Sequence, residues 1–226
     1  KIWDAQSGKE LYTLKDPSPI NSLINGLYYK PVRFSSDNQL VISSHDKKTV
    51  LWDVESGKII YTRLQLNNND WLIYDKHYRF DGSPGAIEKL YFTCDLEVIE
   101  LSQVKQSLRV RNLAQKLINK EDLSGYTKLA DLNICGKLPI LEQLEDDQNL
   151  EFNIQRRIAD ILRIEVLLDK KLVKTISPDS LTWNNGKAKL AIDKREINKF
   201  LIPGQENKIK VQVVAIIDGQ EIPNRG

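Results

Sequence analysis

The sequence predicts a mainly β chain in three parts: a repeat-built β region over residues 1–100, a helical connector and linker over 101–147, and an antiparallel β-sandwich over 148–226. Three observations carry this reading. Two Trp-Asp steps, Trp3-Asp4 and Trp52-Asp53, stand 49 positions apart, each followed by a polar turn, Gly-Lys and a strand-like run. At Leu101 the apolar period becomes helical, and after Leu150 it becomes alternating.

Composition narrows the function classes. Hydrophobic residues make up 41% of the 226, enough for ordinary cores, so disorder is not the expectation. Lys and Arg (33) nearly balance Asp and Glu (31), and the net charge of +2 gives no global field that draws the chain onto nucleic acid or an anionic membrane. No apolar run approaches the roughly 20 residues that span a bilayer, and the first residues do not follow a signal-peptide pattern. Cys94 and Cys135 lie in no Cys-x-x-Cys arrangement and make no paired framework, so a reducing, cytoplasmic setting is expected. The chain contains no Met and opens inside a repeat. Two readings account for this: the residues are a piece of a longer protein, or methionine positions are left out of the sequence.

Residues 31–53 alternate short β-prone runs with turn clusters at Ser35 to Asn38 and His45 to Lys48, which is a meander of short antiparallel strands. The order Phe34-Ser35-x-Asp37, Ser43-Ser44-x-Asp46, Trp52-Asp53 resembles the WD-repeat family, whose repeats each build a four-stranded blade of a β-propeller. By that resemblance Trp3, Asp4, Asp46, Trp52 and Asp53 are structural repeat positions: Asp46 hydrogen-bonds across its turn and Trp52 packs between blades. The family's Gly-His step is replaced by Lys15-Asp16-Pro17-Ser18-Pro19. About one and a half blades are visible, so the missing ones are expected upstream or on another chain. Residues 70–100, with Trp71 to Tyr74 as a strand and turns at Asp81-Gly82 and Pro84-Gly85, are expected to close this partial propeller.

Leu101, Val104 and Leu108 form one helical stripe, and Leu113, Ala114, Leu117 and Ile118 another, with a break predicted near Arg109 to Asn112. An acidic stretch from Glu142 to Asp147 precedes the second β region. There Leu150, Phe152 and Ile154 share one face, as do Leu162, Ile164, Val166 and Leu168, then Ala188, Leu190 and Ile192, then Ile209, Val211, Val213 and Ala215. Turn signals at Asp169-Lys170, Ser177-Pro178-Asp179, Asn184-Asn185-Gly186, Pro203-Gly204 and Asp218-Gly219 separate these runs. Short strands at this spacing argue for a sandwich of immunoglobulin-like type.

Asp70-Trp71 through Pro84-Gly85, then Leu132-Asn133-Ile134, then a sandwich ending in Pro223-Asn224-Arg225-Gly226, resemble the region between propeller and peptidase domain in bacterial WD-repeat proteins of the caspase-like cysteine peptidase family. The resemblance implies a non-catalytic protein-interaction and regulatory region, with propeller loops meeting a protein partner and the catalytic His and Cys located after Gly226. The alternative is a non-enzymatic WD-repeat scaffold or adaptor for complex assembly.

No residue here is assigned a catalytic, cofactor-binding or metal-binding role. A thiol peptidase needs a thiolate within reach of an imidazole, which singles out His45, His77, Cys94 and Cys135. A His77–Cys94 pairing is weighed against a turn-flanking surface histidine and a small strand cysteine, and the second reading is preferred. Glu142, Glu145, Asp146 and Asp147 lack the glycine turn and ligand spacing of a calcium loop and read as a solvated linker. Basic clusters at Arg109-Arg111, Arg156-Arg157 and Lys170-Lys171-Lys174 lack aromatic interleaving, so nucleic acid is not an expected partner. No Gly-rich phosphate loop is present.

Overall fold

The computed structural model describes residues 1–14, 32–94, 97–132, 134–144, 149–201, 204 and 206–225. The replacement segment Lys15 to Pro19, Asn133, the acidic residues Glu145 to Asp147, Pro203 and Gly226 lie outside the described residues, as do the side chains of His45 and Cys94.

Short strands dominate the described chain, as the alternation and turn signals predict. In order they are β1 (Ile2–Trp3), β2 (Glu10–Tyr12), β3 (Val32–Phe34), β4 (Leu40–His45), β5 (Lys48–Asp53), β6 (Ile59–Gln65), β7 (Trp71–Tyr74) and β8 (Phe80–Gly82), followed by helix α1 (Pro84–Lys89). Next come β9 (Tyr91–Cys94), β10 (Glu97–Glu100), α2 (Lys105–Leu108), α3 (Leu113–Ile118), α4 (Leu129–Leu132), β11 (Ile140–Leu144) and β12 (Asn149–Gln155). Last are β13 (Asp160–Leu168), β14 (Lys171–Ile176), β15 (Lys187–Asp193), α5 (Lys194–Asn198), β16 (Ile209–Ile217) and β17 (Gln220–Arg225). The chain divides into two compact units, residues 1–90 with 108–129, and residues 91–107 with 130–226.

In the first unit, β3 to β8 pair in sequence order as one antiparallel six-stranded meander, and β1 pairs β2 as a separate hairpin. The described residues form no closed propeller. Alternate residues along the meander point to opposite faces, and each face finds a different cover. Val41, Val50 and Trp52 share one face and are packed by Ile2, with Leu14, Val54 and Ile59 around them. Tyr61, Trp71 and Ile73 share the other and are packed by α3 through Leu113, with Val110, Leu117 and Leu123 completing that cluster. The predicted connector break is present: α2 ends at Leu108, and Asn112 stands at φ 58 before α3. Two carboxylates hold the segments flanking α3. Asp81 accepts from Arg109 Nε at 3.1 Å and from the Asn112 amide at 2.8 Å. Buried Asp75 binds Arg79, whose Nη1 donates to the Leu123 carbonyl at 2.6 Å.

In the second unit, a three-stranded sheet (β11-β12-β15) and a four-stranded sheet (β14-β13-β16-β17) share one core, with Phe152, Ile154, Leu190 and Ile192 from the first meeting Ile164, Val166, Val211 and Val213 from the second. This two-sheet packing is the sandwich expected from alternation. Its hairpin turns carry the backbone that tight two-residue connections demand: Asp169 and Lys170 at φ 50 and 76, Asn185 and Gly186 at 48 and 75, Asp218 and Gly219 at 50 and 77. Two inward assignments fail, at Leu162 and at Ile209, which opens β16 and is exposed. A register shift between Ile161 and Arg163 turns Leu162 outward and leaves Ile161 packed against the core, because a bulge inverts the pleat on one side of it. Cys135 is disulfide-bonded, where its sequence surroundings gave no reason to pair it.

Candidate interaction site

The two Trp-Asp repeats fold into matching turns. Asp4 Oδ1 accepts from the Ser7 amide and hydroxyl, both at 2.6 Å, and Asp53 Oδ1 accepts from the Ser56 amide at 2.8 Å and hydroxyl at 2.6 Å. In each, the glycine amide donates to the aspartate carbonyl at 2.9 Å, and the aspartate amide donates to the Lys9 or Lys58 carbonyl at 2.8 and 2.9 Å. Gly8 and Gly57 stand at φ 66 and 65, a region open to glycine at little cost. The Ser7 and Ser56 hydroxyls, followed by their amides, hold Asp4 and Asp53 below the usual carboxylate range. Both groups are therefore turn braces, and neither is placed to take up a proton near neutrality.

The repeats also pack on each other. The Tyr12 ring lies over Gly57, where a Cβ would sit 2.8 Å from it, and the Tyr12 hydroxyl donates to the Glu55 carbonyl. Trp52 Nε1 donates to Ser43 Oγ at 2.9 Å across the β4–β5 pair, and Trp52 is 4% exposed. Asp46 stands at φ 49 in the turn joining these strands. Trp3, the counterpart of Trp52, is 55% exposed, with Lys1 Nζ 5.5 Å from its ring centre. A cleft of about 280 Å³ opens between β1 and strands β3 to β5 of the meander, lined by Ile2, Leu14, Val32, Phe34, Val50 and Trp52. Val32 and Phe34 are themselves exposed. Among the described residues β1 pairs only with β2 and β3 only with β4, and an apolar surface beside such strand edges suits the docking of another β element.

The residues singled out for chemistry are dispersed. His77 belongs to the Asp75–Arg79 turn: its amide donates to Asp75 Oδ1 at 2.9 Å, its carbonyl accepts from the Leu129 amide, and desolvation holds its imidazole below the ordinary value. Cys135 offers no thiolate because it is disulfide-bonded. Among the described residues, no three His, Cys, Asp or Glu side chains gather as metal ligands do. Of the basic clusters, Arg109 is engaged by Asp81 and the Gly82 carbonyl, and Lys174 by Glu196.

Sequence reasoning missed two arrangements. Arg156 stacks on Trp183 with its guanidinium 3.8 Å from the ring centre, an aromatic partner far along the chain from the Arg156-Arg157 pair. Glu165, buried in β13, accepts from Arg163 and from Gln212, while Arg163 also meets Glu221 at 2.7 Å. The alternation of polar residues on β13 and β16 was the available signal, but strand register was needed to bring them opposite one another. Compared with known proteins, the chain matches no family model, no curated protein and no solved structure.

Proposed function

We propose that these residues are the non-catalytic protein-interaction and regulatory region of a WD-repeat, caspase-like cysteine peptidase, with the catalytic domain following residue 226. The observation that carries the repeat part is the Trp52–Ser43 hydrogen bond between neighbouring strands, together with the paired Asp-Ser turns at Asp4 and Asp53. In this reading the meander is the last part of a propeller, its loops recognise a protein partner, and the sandwich, of immunoglobulin-like type, positions the peptidase. The segment carrying α3 couples the two. Because Leu113 is fully buried beneath the meander, an acidic residue there would unfold the unit, so the coupling is better probed at the partly buried Leu117.

The test is the natural, undigested protein. Its intact mass should lie far above 26.0 kDa, and an electrophilic caspase-type probe should label one cysteine other than Cys94 and Cys135. A natural mass near 26.0 kDa, or a larger protein that no thiol probe labels, refutes the peptidase reading and leaves the scaffold reading.

A further inference from the structure

The sandwich carries a polar groove that the proposed function does not use. On the outward face of its three-stranded sheet, pairing aligns two rows of side chains, Ile140 with Gln155 and Lys187, and Glu142 with Asn153 and Lys189. Together with Asn184 and Asn185 of the turn before β15, these rows line a groove of about 600 Å³. The side-chain amides of Asn153, Gln155, Asn184 and Asn185 make no hydrogen bond to the described residues. Two cations adjoin them: Lys187 lines the groove, and Arg156 follows Gln155 directly. The Arg156 guanidinium lies 3.8 Å from the Trp183 ring centre, and Trp183 is itself held by its Nε1–H donating to the Pro178 carbonyl at 2.8 Å and by packing against the core. Stacking occupies the face of the guanidinium and leaves its edge donors unengaged. Among the described residues neither Arg156 nor Lys187 meets a carboxylate. Lys189, in the other row, is neutralised by Glu151 at 2.6 Å, so the uncompensated positive charge is confined to the end of the sheet at Gln155 and Lys187.

We infer that this groove binds an extended acidic peptide segment of a partner protein, with an Asp or Glu carboxylate seated at Arg156 and Lys187. A side-chain amide presents a donor and an acceptor together, the same pair that a peptide unit presents, so Asn153, Gln155, Asn184 and Asn185 match the main chain of the occupant. The two cations select its side chain, and the Arg156 fork, already held by its stack, loses little freedom on taking up a carboxylate. Glu142 stands in the row with Asn153 and Lys189, away from the Lys187 end, and so does not oppose the carboxylate there. The lining includes no aromatic ring, and one face of Trp183 is taken by Arg156, so a sugar ring or a nucleic-acid base finds no platform to stack on. The inference goes beyond the proposed function, because it concerns the sandwich alone and holds whether or not a peptidase domain follows.

The test pans the full chain against a random heptapeptide library at low salt, where charge contacts are least screened. Asp or Glu should be enriched at a fixed position of the recovered peptides. A peptide so selected should bind about tenfold more tightly than its Asn or Gln counterpart, the loss expected when a charge-assisted hydrogen bond is removed. Arg156→Gln and Lys187→Gln should each weaken it by about threefold or more, and the side-chain amide resonances of Asn153 and Gln155 should shift when it is added to the parent chain. Lys187 is exposed and its ammonium holds nothing in place, so this variant keeps the fold even if loss of the Arg156 stack loosens Trp183. Recovered peptides with no acidic position overturn the inference. So does an acidic peptide that binds the Lys187 variant as tightly as the parent chain, or binding of oligogalacturonate where no acidic peptide binds. None of these results bears on the mass or the thiol labelling of the natural protein, so the two readings fail separately.

Discussion

Asp75→Ala is the substitution with the largest expected effect on the first unit. The Asp75 and Arg79 side chains are 2% and 7% exposed. Asp75 Oδ1 accepts from the His77 and Arg79 amides at 2.9 and 3.0 Å, and Oδ2 meets Arg79 Nε at 2.8 Å and Nη2 at 2.6 Å. Alanine removes all four contacts and leaves a buried guanidinium with the Leu123 carbonyl as its remaining hydrogen-bond acceptor. Breaking a buried pair from one side costs about 3–5 kcal/mol, far more than the net worth of the intact pair, because an uncompensated charge remains. With a urea dependence of about 2 kcal/mol/M, the unfolding midpoint should fall by roughly 1.5–2.5 M. Tryptophan fluorescence reports it, since Trp3, Trp52 and Trp71 all lie in this unit. The double substitution Asp75→Leu with Arg79→Met removes both charges and should be less damaging than Asp75→Ala alone. A single-variant loss below about 1 kcal/mol, or a double variant worse than the single, refutes the reasoning.

Three further outcomes are expected. Tyr78 stands at φ 59, a conformation that costs a bulky residue roughly 1–2 kcal/mol, and Tyr78→Gly should change stability by less than about 1 kcal/mol because that relief is offset by the added flexibility of the unfolded chain and the lost stacking on Tyr74; a loss above about 2 kcal/mol in urea unfolding contradicts this. Gly85→Ala places a Cβ 2.2 Å from Asp70 Oδ1 and should destabilise by about 1–3 kcal/mol as Asp70 loses its contacts with Ser83 and Lys89, measured by thermal unfolding. Acid should weaken the first unit in two stages. His77 is depressed by desolvation, so its contribution is present above about pH 6.5 and declines as the pH falls through its folded value; Asp4, Asp53 and Asp70, depressed chiefly by Ser7, Ser56 and Lys89, act with the same sign below about pH 4. A urea midpoint that rises on acidification runs against both stages.

What the sequence revealed was what short range determines. The Asp-Ser turns need residues three apart, the hairpin turns need Asn, Asp or Gly at adjacent positions, and both were legible without knowing any distant partner. Alternation identified Phe152 with Ile154 and Leu190 with Ile192 as inward residues, because a strand's period holds wherever pairing is regular. It failed at Leu162, where a bulge depends on the neighbouring strand. The candidate site was half legible: Trp3 and Trp52 were recognised as equivalents, but Trp52 is buried by Ile2, Leu14 and Val41 from other strands and segments, which no local pattern marks. The Asp81–Arg109 contact and the Arg156–Trp183 stack join residues more than twenty positions apart, and no local pattern marks them.

The packing of α3 over Tyr61, Trp71 and Ile73 makes the two faces of the meander unequal. On one side Val41, Val50 and Trp52 are met by Ile2 of another hairpin, so sheet stacks on sheet. On the other side a sheet could stack only after the helix is displaced, with exposure of Leu113 and Val110.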